Sequence, residues 1–201
     1  KVKIYSDFNQ LWQDHSDSNQ IFVNIPIGLV NNSQDSRTCD ALAREKLGWP
    51  RSASILSPPC RHALYTKNFK NAVKINKKHT KKGISLQIWY LFSKIREIDH
   101  FLSKNLRINK ILLESHPEIC FWSKNKQKQM KYNKKTIQGF EERLSVLKNV
   151  SSHLDYDLKS LLSTYPKTKV KSYDILNAWI LAISAERDNY SSLPTTPPFD
   201  S

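Results

Sequence analysis

The sequence predicts an α/β domain, in which short strands alternate with helices and form a sheet covered by helices. Three strand-like segments support this fold class: Lys1–Tyr5, Gln20–Asn24 and Lys110–Glu114. The first alternates polar and apolar residues, which is the pattern of a strand with one buried face. The segment Ser85–Lys104, in contrast, has apolar residues at three- and four-residue steps, so we expect it to form a long helix that packs against the sheet.

The N-terminal half is expected to contain three further helices. Ser6–Trp12 opens with a serine and an aspartate, both good helix caps. Ser36–Leu47 also opens with a serine, and it is followed by Gly48 and Pro50, which end helices. The third, Lys67–Lys82, is strongly basic.

The C-terminal half is expected to contain helices at Thr136–Val150, Asp155–Ser163 and Ser172–Glu186. The threonine and the serine at the starts of the first and the last are predicted to cap them. Because no internal repeat and no linker interrupts these elements, we expect residues 1–201 to form a single domain with an irregular tail over 189–201.

The composition is ordinary for a soluble globular protein, with 39% hydrophobic and 25% charged residues. No apolar run is long enough to span a bilayer, so we expect no membrane partner. Cys39, Cys60 and Cys120 are odd in number and scattered, without metal-ligand spacing or a disulfide framework. These features favour a cytoplasmic location with reduced thiols.

The net charge of +14 indicates a possible nucleic-acid partner. The positive residues cluster at Lys67–Lys82 and Lys124–Lys135. The alternative is a solvated surface without a partner, because a composition rich in Lys, Asn and Ile can also reflect an AT-rich genome.

An acidic corner, Glu114–Phe121, follows the third predicted strand. Open α/β sheets bind their ligands at the carboxyl ends of strands. The carboxylates of Glu114 and Glu118 repel each other unless a cation or a shared proton relieves them, and His116 is a candidate metal ligand or general base. The other interpretation is a polar corner, with Pro117 in the first helical turn and Glu118 favoured by the helix dipole.

The last predicted helix carries Asp174 and Asn177 on one face near its start. If this turn docks beside Glu114, carboxylates from a strand end and a helix start converge, as a divalent-metal site for phosphoryl transfer requires. The alternative is that Asp174 only interacts with the dipole of its own helix.

Lys134, Lys135 and Thr136 stand at another helix start. Helix N-termini bind phosphate, and lysines beside them strengthen the binding. The alternative is a solvent-exposed loop that ends in a threonine cap. The chain has only four glycines and contains no glycine-rich phosphate loop, nucleophile elbow or zinc motif.

Several segments, taken in order, match the conserved blocks of one family. They are Asn24-Ile-Pro-Ile-Gly-Leu29, Arg37 with Cys39-Asp40, Arg44, Leu47-Gly48 and Arg51-Ser52-Ala-Ser54, Gly83-Ile-Ser-Leu-Gln87 with Lys94-Ile-Arg-Glu-Ile-Asp99, Glu114-Ser-His-Pro-Glu-Ile-Cys-Phe121, Lys134-Lys-Thr136 with Gly139 and Arg143, and Asp174-Ile-Leu-Asn177-Ala178. The chain therefore resembles the predicted RNase H-like nucleases, also known as domain of unknown function 429.

The resemblance implies an RNase H-like fold, a mixed central sheet flanked by helices, and cleavage of nucleic acid dependent on Mg²⁺ or Mn²⁺. The catalytic residues it implies are Glu114, His116, Glu118 and Asp174. The metal ligands it implies are Glu114, Asp174, Asn24 and Asn177. The residues expected to contact phosphate or nucleic acid are Lys134, Lys135, Arg37, Arg44 and Arg51.

The chain departs from the family pattern at three acidic positions. Asn24 replaces an aspartate of the first block, and Tyr173 and Asn177 replace two acids of the last. An amide keeps the shape of a carboxylate but loses the charge that holds a divalent cation. The chain also opens after the point where such folds carry an aspartate on their first strand, so we expect a fragment that lacks this strand.

Three hypotheses follow from the sequence. The first is a metal-dependent nuclease. The second is a catalytically inactive domain that binds nucleic acid or a protein. The third is an enzyme that acts on a small phosphorylated metabolite. The amide substitutions favour the second, and the retention of Glu114, His116 and Glu118 favours the first or the third; the oligomeric state stays open.

Overall fold

The computed structural model describes residues 3–32, 37–151, 170–186 and 192–195, and this part of the chain is mostly helical. Its main elements are α1 (Phe8–His15), β1 (Ile21–Val23), α2 (Thr38–Leu47), α3 (Arg61–Leu64), α4 (Phe69–Thr80), α5 (Leu86–Lys104), β2 (Leu112–Glu114), α6 (Pro117–Lys124), α7 (Ile137–Val150) and α8 (Ser172–Ala185). Two 3₁₀ helices, Arg51–Ser54 and Leu106–Lys110, connect longer elements.

The sheet consists of two parallel strands. β1 pairs with β2 so that Ile21 lies opposite Leu112 and Val23 lies opposite Glu114. Val23 and Leu112 pack against α1 and α5, whereas Phe22 packs against the core of α6, α7 and α8. Both faces of this small sheet are thus covered by helices, which explains the apolar character of the strands.

The predicted fold class, an RNase H-like α/β fold with a mixed central sheet, is wrong for the part of the chain that the structure describes. No third strand joins β1 and β2 there. Residues 3–5 of the predicted first strand have no strand partner, and the side chains of Lys3 and Tyr5 bond Asp14 of α1 instead. An alternating pattern makes a strand only where a neighbouring strand completes its hydrogen bonds.

Two of the predicted helix caps are confirmed, because the side chains of Asp7 and Thr136 accept N–H groups in the first turns of α1 and α7. The side chain of Ser85 caps α5 in the same way, although no cap was predicted there. Ser172 is not the cap of α8, because the helix is preceded by Lys171, whose N–H is bonded within the first turn.

Other predicted features lie outside the described residues. These are the cap at Ser36, the helix Asp155–Ser163 and most of the tail over 189–201. Among the described helices, none is both long and apolar enough to cross a membrane.

Candidate functional site

The carboxylate of Glu114, at the end of β2, binds a buried arginine. Nη2 of Arg37 lies 2.6 Å from both Oε1 and Oε2 of Glu114, and the N–H of Ile27 donates to Oε2 at 2.8 Å. The same guanidinium donates from Nε to Oδ2 of Asp40 at 3.2 Å and from Nη1 to the carbonyl of Gly28 at 3.1 Å. Arg37 therefore joins the strand end to the loop after β1 and to the start of α2.

One guanidinium pairs with two carboxylates in this cluster. Burial by itself lowers the pKa of Arg37, but Glu114 and Asp40 outweigh it and raise that pKa above its ordinary value. Burial raises the pKa of Glu114, and the charge of Arg37 opposes this rise. Arg37, which the sequence predicts as a phosphate contact, is committed to two carboxylates. Burial also raises the pKa of Cys39 to about 11, so its thiol is protonated at neutral pH.

Glu118 lies in the protein interior, where it forms an ion pair with Arg143. Its Oε1 lies 2.6 Å from Nη2 of Arg143, and the two residues are 4% and 0% exposed. Nη1 of Arg143 also donates to the carbonyl oxygens of Tyr132 at 3.2 Å and Gly139 at 2.9 Å. The pair thus ties α6 to the loop before α7, and Glu118 has little access to a ligand in solvent.

His116 caps the helix that follows it. Its Nδ1 accepts the N–H of Glu118 at 3.2 Å, and its ring also interacts with the backbone of Ser54. Burial lowers the pKa of His116 to about 4, and the nearby charge of Lys134 acts in the same direction. The imidazole is therefore neutral at pH 7, and it is a weaker base than one tuned to the operating pH.

We predict that His116 makes the protein less stable as the pH falls from about 6.5 to about 4. In that window the unfolded chain binds a proton that the folded chain does not, so the free energy of unfolding falls by about 2–3 kcal/mol in total. The measurement is urea unfolding at several pH values for the wild type and for His116→Asn, which keeps an acceptor for the N–H of Glu118. The difference between the two curves isolates His116 from other titrating groups; parallel curves contradict the prediction.

Asp174 caps its own helix and shares no contact with Glu114. Its carboxylate accepts the N–H of Lys171 at 3.1 Å. The opposite end of α8 contacts the acidic corner, where Ser184 is next to Cys120 of α6. Ten residues of helix separate Asp174 from Ser184, which corresponds to about 15 Å along the axis.

The two asparagines predicted as metal ligands lie in different environments. Asn24 is exposed directly after β1. Asn177 lies in α8, and its buried Oδ1 has no hydrogen-bond partner among the described residues.

The five predicted phosphate contacts separate into two groups. Arg37 binds carboxylates, and Arg44 donates from Nη2 to the carbonyl of Ile55 at 2.9 Å and to the hydroxyl of Ser57 at 2.9 Å. These two arginines are structural. The other three come together, because Arg51 contacts the loop that also carries Lys134 and Lys135.

Comparison with known families decides what kind of chain this is. The profile of the family described as "Protein of unknown function (DUF429)" matches residues 1–198. The chain belongs to this family. Comparisons with curated proteins and with solved structures gave no match. Membership of DUF429 confirms the family that the sequence resembles. No named relative supports the nuclease activity that the resemblance implies.

The described residues of this DUF429 chain do not fit a divalent cation. Such an ion needs several free carboxylate oxygens converging on one point. Here Glu114 is bound to Arg37 and Glu118 to Arg143, while Asp174 serves its own helix. Among the described residues, no group of three or more His, Cys, Asp or Glu side chains could hold a metal ion. We therefore derive no step that passes through Mg²⁺ or Mn²⁺.

Sequence reasoning did not single out two aromatic residues of this DUF429 chain as site candidates, although both stand at the junction of Arg51 with the basic loop. Trp49 precedes Arg51, and Tyr132 precedes Lys134. The available signal for Tyr132 was the absence of acidic residues around it: the chain has no Asp or Glu between Glu118 and Glu141.

Proposed function

We propose that this protein binds nucleic acid through the exposed lysines of α4, without cleaving it at the acids discussed above. The observation that carries the proposal is the distribution of charge on α4. Its lysines are Lys70, Lys74, Lys77 and Lys78, followed directly by Lys81 and Lys82, and all six are exposed.

The four lysines within α4 occupy one side of the helix, and Lys81 and Lys82 follow its last residue. They recur at three- and four-residue steps, so they form a continuous stripe. The opposite side is buried through Ala72 and Asn76, whose amide accepts the N–H of Cys60 at 2.7 Å and donates to the carbonyl of Lys82 at 2.9 Å. The packing of α4 therefore fixes the direction in which the lysines point.

Within the described part of the chain, no ion pair neutralises the stripe. None of the described ion pairs involves a lysine of α4. The sequence has no acidic residue between Glu45 and Glu97. Like charges at four-residue spacing repel each other and destabilise a helix by a few tenths of a kcal/mol per pair. A phosphate backbone relieves this repulsion and releases its own counterions on binding.

The contacts of the carboxylates of Glu114 and Glu118 favour a protein that binds nucleic acid over one that cleaves it. Hydrolysis of a phosphodiester by metal ions needs anionic ligands that face the substrate. Glu114, whose side chain is 30% exposed, forms an ion pair with Arg37, and the buried Glu118 forms one with Arg143, so neither carboxylate is free to bind a metal ion. The second of the three hypotheses, a catalytically inactive nucleic-acid-binding domain, is therefore the one that the geometry favours.

The test removes charge from the stripe without changing the rest of the surface. We expect the triple variant Lys74→Gln, Lys77→Gln, Lys78→Gln to weaken binding of duplex DNA and duplex RNA and to reduce the slope of log K against log salt by about 2 to 3. Fluorescence anisotropy across a salt series measures both quantities. The matched control loses the same charge elsewhere, at Lys104, Arg107 and Lys110, and is expected to keep most of the wild-type slope.

Two results contradict the proposal. One is wild-type binding that does not respond to salt, or no binding at all. The other is cleavage of the oligonucleotide that appears on addition of Mg²⁺ or Mn²⁺ and is lost in Glu114→Gln.

A further inference from the structure

Two segments far apart in the sequence meet at one surface junction: the turn after α2 and the loop between α6 and α7. Nε2 of Gln129 donates to the carbonyl of Trp49 at 3.3 Å. Nη1 of Arg51 lies 3.4 Å from the carbonyl of Tyr132. These contacts place Trp49 and Tyr132, which are distant in the chain, at the same surface.

Both rings face solvent. Trp49 is 80% exposed and Tyr132 is 41% exposed. Burial of large aromatic side chains stabilises a protein, so a pair of exposed rings at one junction indicates an interaction surface.

The backbone that carries the Tyr132 ring is fixed on both sides. Its N–H donates to Oε2 of Glu142 at 3.0 Å, and its carbonyl accepts from Nη1 of Arg143 at 3.2 Å. Arg143 is itself held in position by its buried ion pair with Glu118. The ring is thus presented on a pre-ordered backbone, which lowers the entropy cost of binding.

The surroundings of the rings are positive. The ammonium of Lys131 lies 5.2 Å from the centroid of the Tyr132 ring, whereas that of Lys134, in the same loop, lies 5.5 Å from the centroid of Tyr173. The Nε of Arg51 is buried without a hydrogen-bond partner among the described residues. The closest acid in this contact network, Glu142, already accepts the N–H groups of Lys131 and Tyr132.

We infer that Trp49 and Tyr132 form a stacking platform for the unpaired bases of single-stranded nucleic acid, with Arg51 and Lys131 beside them for the phosphates. Aromatic rings within a positive surface bind single strands because every base has a face that stacks. A duplex hides those faces inside its own stack, so it gains nothing from the platform. An apolar protein partner would leave the surrounding cations without counter-charge.

The inference shares with the proposed function only the class of ligand, because it uses residues that lie outside α4. The lysine stripe contacts phosphates of any strand, and the platform adds a preference for unpaired bases. The two can therefore fail separately.

The experiment compares the wild-type chain with Trp49→Ala, Tyr132→Ala and the double variant. The probes are a fluorescein-labelled oligothymidine of about twelve nucleotides and a duplex of the same length. We expect each single variant to weaken oligothymidine binding by about tenfold and to leave duplex binding unchanged. Trp49→Phe and Tyr132→Phe are expected to retain most of the wild-type affinity, because they keep a ring that stacks. Circular dichroism during thermal unfolding confirms that the variants fold.

The outcomes distinguish the stacking platform from the lysine stripe of α4. Equal losses for both probes, or unchanged oligothymidine binding, overturn the platform while the lysine stripe of α4 stands. A wild type that binds neither probe overturns both.

Discussion

Replacement of Arg143 by methionine is expected to lower the free energy of unfolding by about 3–5 kcal/mol. The guanidinium is fully buried, and its removal leaves the carboxylate of Glu118 in the interior without a counter-charge. The carbonyl oxygens of Tyr132 and Gly139 lose a donor as well. Urea unfolding at pH 7 measures the effect, with Arg107→Met, an exposed arginine, as the matched control at about 0.5 kcal/mol or less.

A double variant separates loss of the pair from loss of one partner. Glu118→Leu combined with Arg143→Met removes both charges, so we expect it to be more stable than Arg143→Met alone. If Arg143→Met costs less than about 1 kcal/mol, the ion pair is not the anchor of the loop that the geometry indicates.

Gly139→Ala is expected to destabilise the protein by about 3 kcal/mol or to reshape the start of α7. A Cβ at this position would lie 1.9 Å from the carbonyl oxygen of Asn133 and 2.5 Å from its carbonyl carbon. Both atoms belong to the main chain, so relief requires a shift of the loop that carries Lys134 and Tyr132. Thermal unfolding reports the loss of stability.

Gly83→Ala provides the control for this substitution. A Cβ at position 83 would meet only the flexible Lys77 side chain, at 3.9 Å. We therefore expect it to be neutral or to stabilise the protein by about 0.5 kcal/mol, because alanine restricts the unfolded chain. Equal effects of the two substitutions would show that the close approach at Gly139 has no energetic role.

The local elements were largely predictable from the sequence, for reasons that particular residues make clear. The helix at α5 follows from its apolar periodicity and from the cap at Ser85, and both signals act within a few residues. The helix start at Pro117 and the cap at Thr136 are local in the same way. The number of strands was not predictable by this route, because a strand depends on a partner that can come from any part of the chain.

The sequence predicted which residues belong to the candidate site, but it did not predict which residues they contact. The sequence marked Glu114 and Arg37 separately, one as a metal ligand and one as a phosphate contact. The fold pairs them at 2.6 Å, which changes what each can do. Glu118 was marked as a catalytic acid, and the fold buries it against an arginine from α7.

The sequence by itself determined the basic character of the protein, the lysine-rich segment that forms α4, the caps of α1 and α7 and the membership of DUF429. These properties depend on composition, on short-range periodicity and on ordered motifs. Only the tertiary structure decided that Glu114 and Glu118 pair with arginines, and that Trp49 and Tyr132 face solvent at one junction. Whether a charge or a ring is available to a ligand depends on burial and on partners that fold in from distant parts of the chain.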